Sequence, residues 1–310
     1  MIAARSGSNA SGVPDSPWST ATPPKPRSLP TFFLLAFGLS WAVWVPTNLA
    51  SRGLLSFPLP LEYAGLLGAF GPAVAALVTA GIFDGGRGLR ALLGRFLVWR
   101  VGVRWYAFVL LWPAALSLAT TALHVLLGGA VPDFSAPPFV RLNPLPPELS
   151  AAGPFALLPF VFLQQTLAGS SLGEEPGWRG YALPRLQWRW GALPASLLLG
   201  ALWGVWHLPL WLTRGYEAGE TFVGWALLGL VAHAILFTWV YNHTRGSLLL
   251  ALLFHTADAV TAVFLAPAAA SPLLGLAFSW GAALLVVAAS GPARLSRRSA
   301  GEYLSEVAAR

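Results

Sequence analysis

Eight stretches of roughly 20 mostly apolar residues follow one another along the chain, at 31–50, 62–83, 105–128, 154–173, 192–212, 221–241, 246–265 and 271–290. A helix of about 20 apolar residues spans the hydrocarbon layer of a bilayer. Charged residues make up only 10% of the 310, against about 25% in an average soluble domain. Such a chain cannot cover a water-facing surface. The expected fold is all-α: a polytopic integral membrane protein with about eight transmembrane helices.

The basic residues orient these spans. With both termini inside, the inner segments carry 16 of the 19 Lys and Arg residues, and the outer loops carry only Arg52, Arg141 and Arg214. The positive-inside rule selects this arrangement, and seven spans would put the arginines near the C-terminus on the wrong side. The net charge of +7 thus reads as topology-setting arginines, with no patch suited to nucleic acid. Cysteine is absent, which excludes a disulfide, a thiol nucleophile and a thiolate metal site. Residues 1–29, rich in Ser, Pro, Ala and Gly, read as a disordered tail. Residues 30–290 form the membrane domain, and 291–310 a basic cytoplasmic tail. Between spans two and three, the arginines of 87–104 interleave with Leu89, Leu92, Leu93, Phe96, Leu97 and Trp99, the pattern of a helix lying in the membrane interface. The proline-containing stretch 129–152 forms an outer loop. Tryptophans such as Trp18, Trp99, Trp188 and Trp190 sit near span ends, as in an aromatic belt.

Against this background the ionisable residues within apolar segments stand out, because each is costly near lipid. Glu174 and Glu175 are adjacent and so point about 100° apart on a helix. Arg179 follows Glu175 by four residues, the spacing of a helical ion pair. This suggests that Arg179 holds Glu175 while Glu174 faces a cavity. Pro176 disfavours helical geometry at Glu175 and can start a new turn, which leaves open which carboxylate is aimed inward. His207 lies late in the fifth span with Trp203 four residues earlier on the same face, where an indole would shield it from water. His255 lies mid-span with Asp258 three residues on, a spacing at which a carboxylate can fix an imidazole's tautomer. His124 and His233 read as structural, the latter with no carboxylate at helical spacing. His243 reads as a water-facing loop residue. A lone histidine in an apolar helix is more often a hydrogen-bonded core residue than a catalyst, so the constellation matters more than any member.

The sequence contains no H-E-x-x-H zinc motif, no G-x-S-x-G elbow, no P-loop and no dinucleotide fingerprint. Ser170 and Ser171 have no histidine at an informative spacing, which makes a serine–histidine membrane protease the weaker reading. No related halves of the kind transporters carry are visible.

In this order, these residues resemble the CAAX protease and bacteriocin-processing family. Its E-E-x-x-x-R motif is matched by Glu174-Glu175-Pro176-Gly177-Trp178-Arg179, within the run GEEPGWRGYALPRLQ from Gly173 to Gln187. Its F-x-x-x-H motif is matched by Trp203 to His207, with tryptophan for phenylalanine. Its H-x-x-x-N motif is matched at His255, but the fourth position after it is Ala259, and Asp258 is the nearby polar candidate. The likeness covers about 153–265. It implies an intramembrane endopeptidase acting on a membrane-associated protein or peptide in the lipid bilayer, with Glu174, Glu175, Arg179, His207, His255 and Asp258 as site residues. Two chemistries fit that set. In one, Glu174 is the general base, assisted by His207, while His255 and its polar neighbour stabilise the tetrahedral intermediate. In the other, Glu174, His207 and His255 bind zinc and Glu175 is the base. The alternatives to a protease are a catalytically silent immunity or interaction protein, which Ala259 favours, and a polytopic transporter. The Ala-, Gly- and Arg-rich composition points to a GC-rich bacterium, and so to a multi-pass protein of the inner membrane.

One geometric condition follows. At a rise of about 1.5 Å per residue, simple spans leave Glu174 near the inner boundary and His207 well past the midplane. For the two to share a site, 174–190 must be partly embedded and helical.

Overall fold

The computed structural model describes residues 25–142, 153–216, 223–265 and 272–296. Most of the expected N-terminal tail, part of the 129–152 loop, the end of the C-terminal tail and both termini lie outside them. Every regular element among the described residues is helical. Among the described residues there are twelve α-helices: α1 Ser28–Ser51, α2 Leu61–Ala69, α3 Gly71–Gly94, α4 Val103–Leu126, α5 Pro138–Leu142, α6 Leu158–Ala168, α7 Ser170–Glu175, α8 Leu183–Trp190, α9 Ala192–Trp211, α10 Val223–His243, α11 Leu248–Leu265 and α12 Pro272–Ser290. A π-helical segment, Pro176–Ala182, joins α7 to α8, and single 3-10 turns follow α3 and precede α6.

Among the described residues, eight segments are long and apolar enough to cross a membrane, as the hydrophobic pattern predicts. Two of them outrun the sequence estimate, each reaching 37 residues: Leu61–Leu97 and Pro154–Trp190. Within lipid every backbone group must find its partner inside the protein, so an apolar stretch that stays helical is the cheapest solution. Proline opens several of these elements, at Pro72, Pro154 and Pro159, where its missing N–H costs no helical bond.

The bundle is built from paired helices, with α1 against α3, α9 against α10, α4 against α11 and α10 against α12. Several of the arginine-bearing connections meet one another at one end of the bundle. There Arg185 pairs with Asp84, Arg95 Nη1 reaches the Tyr241 hydroxyl, the Arg245 guanidinium donates to the Arg100 carbonyl, and Asn242 bonds both Gln187 and the Arg294 carbonyl. The start of the C-terminal tail belongs to this end. Leu295 is fully buried, and Ala192 and Leu193 donate backbone bonds to Ala293 and Pro292.

The expected interfacial helix at 87–104 is shorter than the pattern suggested. Gly85 (φ 65°, ψ −162°) kinks α3, helical structure ends at Leu97, and α4 begins at Val103. Leu93 and Leu97 are exposed on this arm, while Leu89 and Phe96 pack on the core. His243 is the last residue of α10 rather than a loop residue. Its ring packs between Trp105 and Trp239, with centroids 4.9 and 5.2 Å away.

Candidate active site

The site is centred on the helix carrying Glu174, Glu175 and Arg179, which runs through the protein interior rather than along its edge. Every residue from Gly173 to Leu183 is buried. Its close approach to α2 and α3 depends on Gly173 and Gly177, four residues apart on one face. A Cβ at Gly173 would lie 2.5 Å from the Ala69 carbonyl oxygen, and one at Gly177 would lie 2.6 Å from the Pro72 carbonyl oxygen. Small residues at i and i+4 are a common device for close helix packing in membranes. The pattern was legible in the sequence but was masked there by the charged residues between the glycines.

Pro176 does not break the helix. Glu175 keeps helical dihedrals (φ −63°, ψ −35°), and the chain passes into a π-helical segment instead. Widening the turn accommodates a proline ring that a regular α-helix would push against the preceding carbonyls. The 174–190 segment is thus helical, and it is buried from Glu174 to Leu183.

Glu174 and Glu175 project toward different helices. Glu175 is fully buried, and its Oε1 accepts two bonds, each 2.8 Å long, from Arg179 Nη1 and from His255 Nδ1 on α11. Its Oε2 and Arg179 Nη2 have no partner among the described residues. Glu174, 2% exposed, turns toward α9, where the Trp203 indole Nε1 donates to its Oε2 at 2.6 Å. Trp203 also stacks beneath Arg179. The guanidinium carbon is 4.2 Å from the Trp203 ring centroid and 4.0 Å from that of Phe237. One arginine thus neutralises a carboxylate along its edge and presses on aromatic rings with its faces, a geometry that only a planar guanidinium provides.

The two histidines are held alike. His207 Nδ1 lies 2.9 Å from the Trp203 carbonyl, so it carries the proton and donates, while His255 Nδ1–H donates to Glu175. In both rings Nε2 is therefore the atom left for chemistry. His207 is enclosed by indoles: Trp211 stacks on it at 4.8 Å, Trp206 meets it edge-on at 4.6 Å, and Trp203 lies 6.0 Å away. The shielding expected of Trp203 is thus supplied by several tryptophans. His207 bonds neither glutamate directly. Trp203 connects them, its side chain on Glu174 and its carbonyl on His207.

Asp258 does not pair with His255. Its Oδ1 is 3.5 Å from His233 Nε2, across the α10–α11 interface, and its side chain is 41% exposed. His233 lacks a carboxylate partner within its own helix, which is all that helical spacing reports. The partner comes from α11, and only the fold reveals it. Thr256 ties α11 to α7 through a bond to the Ser171 hydroxyl.

No group of three or more His, Asp or Glu side chains is placed to hold a metal ion among the described residues. Glu175 Oε1 is committed to Arg179 and His255, Glu174 Oε2 to Trp203, and His207 sits within its indole enclosure.

Fold and site together define a helical membrane protein with a carboxylate–imidazole–guanidinium centre sealed inside its bundle. Comparison with known proteins agrees on the kind. The family model described as type II CAAX prenyl endopeptidase Rce1-like matches residues 154–261, the segment that contains every motif residue. The protein named CAAX prenyl protease 2 from Methanococcus maripaludis is 31% identical over 154 residues, which cover 47% of this chain and 51% of that relative. The chain thus spans about half the length of the curated relative it matches. In both comparisons the chain is thus similar to CAAX prenyl proteases over part of its length.

Proposed function

We propose that this protein is an intramembrane endopeptidase of the CAAX prenyl protease type, cleaving a peptide bond in a membrane-associated protein or peptide. The observation that carries the reading is the Glu175 carboxylate, fully buried, shared between Arg179 and His255, with a second acid beside it. A buried ion pair of this kind is a poor way to gain stability. It is a good way to hold an imidazole in one tautomer and one orientation.

In this reading Glu174 is the general base. Trp203 holds one carboxylate oxygen, and the other takes the proton of the attacking water, with His207 Nε2 as a second acceptor for that water. General-base assistance of this kind contributes about 10²–10⁴-fold. His255, braced by Glu175, presents Nε2 to the oxygen that gains charge as the carbonyl becomes tetrahedral. It acts there as a donor when protonated, in an environment where such donors are worth about 10²–10³-fold. The proton on Glu174 then passes to the leaving amine. Arg179 is a positioning residue. Asp258 and His233 form a supporting pair at the rim, in place of the amide absent at Ala259. The reading routes no step through zinc.

The test is cleavage of a reporter peptide by the purified protein and by Glu174→Ala, Glu175→Ala, His207→Ala and His255→Ala, each before and after chelation. Loss of cleavage in folded variants supports the enzyme. Cleavage abolished by chelation and restored by zinc would replace the metal-free route with the metal one. Biological activity unchanged in all four variants would favour the silent interaction protein.

A further inference from the structure

At the arginine-rich end of the bundle, α1, α8 and α9 enclose a hollow of about 300 Å³ that the catalytic reading does not use. Its lining falls into two levels by helical position. Lys25, Arg185 and Arg189 form a cationic rim with Trp188 and Trp190, and Leu29, Phe33, Leu198 and Leu202, about one to three turns further along α1 and α9, supply an apolar shaft. Arg185 is engaged with Asp84 and the Tyr181 carbonyl. The ammonium of Lys25 and the guanidinium of Arg189 have no carboxylate partner among the described residues, and both side chains are exposed.

We propose that this hollow is a binding site for one anionic phospholipid, its phosphate between Lys25 and Arg189 and an acyl chain in the shaft. The two levels match the two ends of that ligand. A cationic rim alone would suit any anion, and an apolar shaft alone any hydrocarbon; the stacked pair selects an amphiphile with a negative head. The tryptophans place the rim at the depth where indoles favour lipid headgroups, and basic pockets between transmembrane helices are a recurrent form of anionic-lipid recognition. Seated there, the lipid braces α8, which continues the backbone from Arg179. The proposal is independent of the protease reading.

The experiment titrates the full-length protein, in neutral detergent, with phosphatidylglycerol or phosphatidylcholine and counts retained lipids by native mass spectrometry. One phosphatidylglycerol is expected to be retained in preference to phosphatidylcholine. Lys25→Gln with Arg189→Gln is expected to weaken that retention by about tenfold, since each cation near an anionic headgroup contributes severalfold. Leu198→Trp, which fills the shaft and leaves the cations, is expected to weaken it as well. Arg87→Gln with Arg90→Gln, an equal loss of exposed charge outside the hollow, is expected to leave it unchanged. Thermal unfolding of each variant checks that the bundle is intact. Equal retention of the two lipids, or equal loss in the Arg87/Arg90 control, overturns the proposal. Displacement of the lipid by millimolar inorganic phosphate, with Leu198→Trp without effect, assigns the rim to a free anion and also overturns it.

Discussion

The indole Nε1 of Trp203 lies 2.6 Å from Glu174 Oε2, joining an acid on α7 to a ring on α9 that also stacks on Arg179. The F-x-x-x-H pattern that this segment resembles has phenylalanine at this position, which supplies the stacking face but not the donor. A hydrogen bond to a charged group contributes about 1.5–3 kcal/mol. Trp203→Phe should therefore lower kcat of reporter cleavage by about tenfold or more, with KM little changed. An unaltered kcat would show that the bond to Glu174 is incidental.

Glu175 and Arg179 should be strongly coupled in stability. Removing one partner of a buried pair costs about 3–5 kcal/mol, because the other charge is left uncompensated. Arg179→Met alone should sharply lower the thermal unfolding midpoint in detergent. Adding Glu175→Gln should recover much of that loss without restoring cleavage, since His255 then lacks its charged acceptor. A double variant no more stable than the single one would contradict the coupling.

His255 and Asp258, neighbours on α11, should respond differently. Partly exposed ion pairs contribute about 0–1 kcal/mol, so Asp258→Asn and His233→Gln should each change cleavage by less than about fivefold. His255→Ala should reduce it by about 100-fold or more. Parallel losses at His255 and Asp258 in the same kinetic assay would restore Asp258 to a direct role.

Among the glycines, Gly177 and Gly38 make a matched comparison. A methyl group at Gly177 would meet Pro72, while at Gly38 it has nothing within 4 Å. Overpacking of this sort costs about 1–3 kcal/mol. Gly177→Ala should lower the unfolding midpoint and the yield of folded protein, and Gly38→Ala should leave both within error.

Much of the architecture is legible in the chain because lipid imposes a simple rule. Apolar length translates into spans, and eight emerge on both readings. The Arg179–Glu175 pair is local in sequence, so helical spacing finds it. The pairing of His255 with Glu175 is not, since the two residues lie 80 positions apart on different helices. Spacing along α11 instead favours Asp258, whose actual partner is His233 on α10. Nor does the sequence reveal the π-helical segment. Proline signals an interruption, but whether the chain breaks or widens depends on what surrounds it, and here the neighbours on α3 hold it helical. Trp203 reads as a shield from its position alone. Its role as a donor requires knowing where the Glu174 carboxylate turns.

A seam with no room for a methyl group can neither slide nor part gradually. The helix bearing both acids is therefore packed backbone against backbone on the first turn of α3 at Pro72, and the two are expected to move together. Any gating motion that admits a macromolecular guest to Glu174 has to come from the remaining walls of the bundle. Mobility measured helix by helix should accordingly be lowest along this seam.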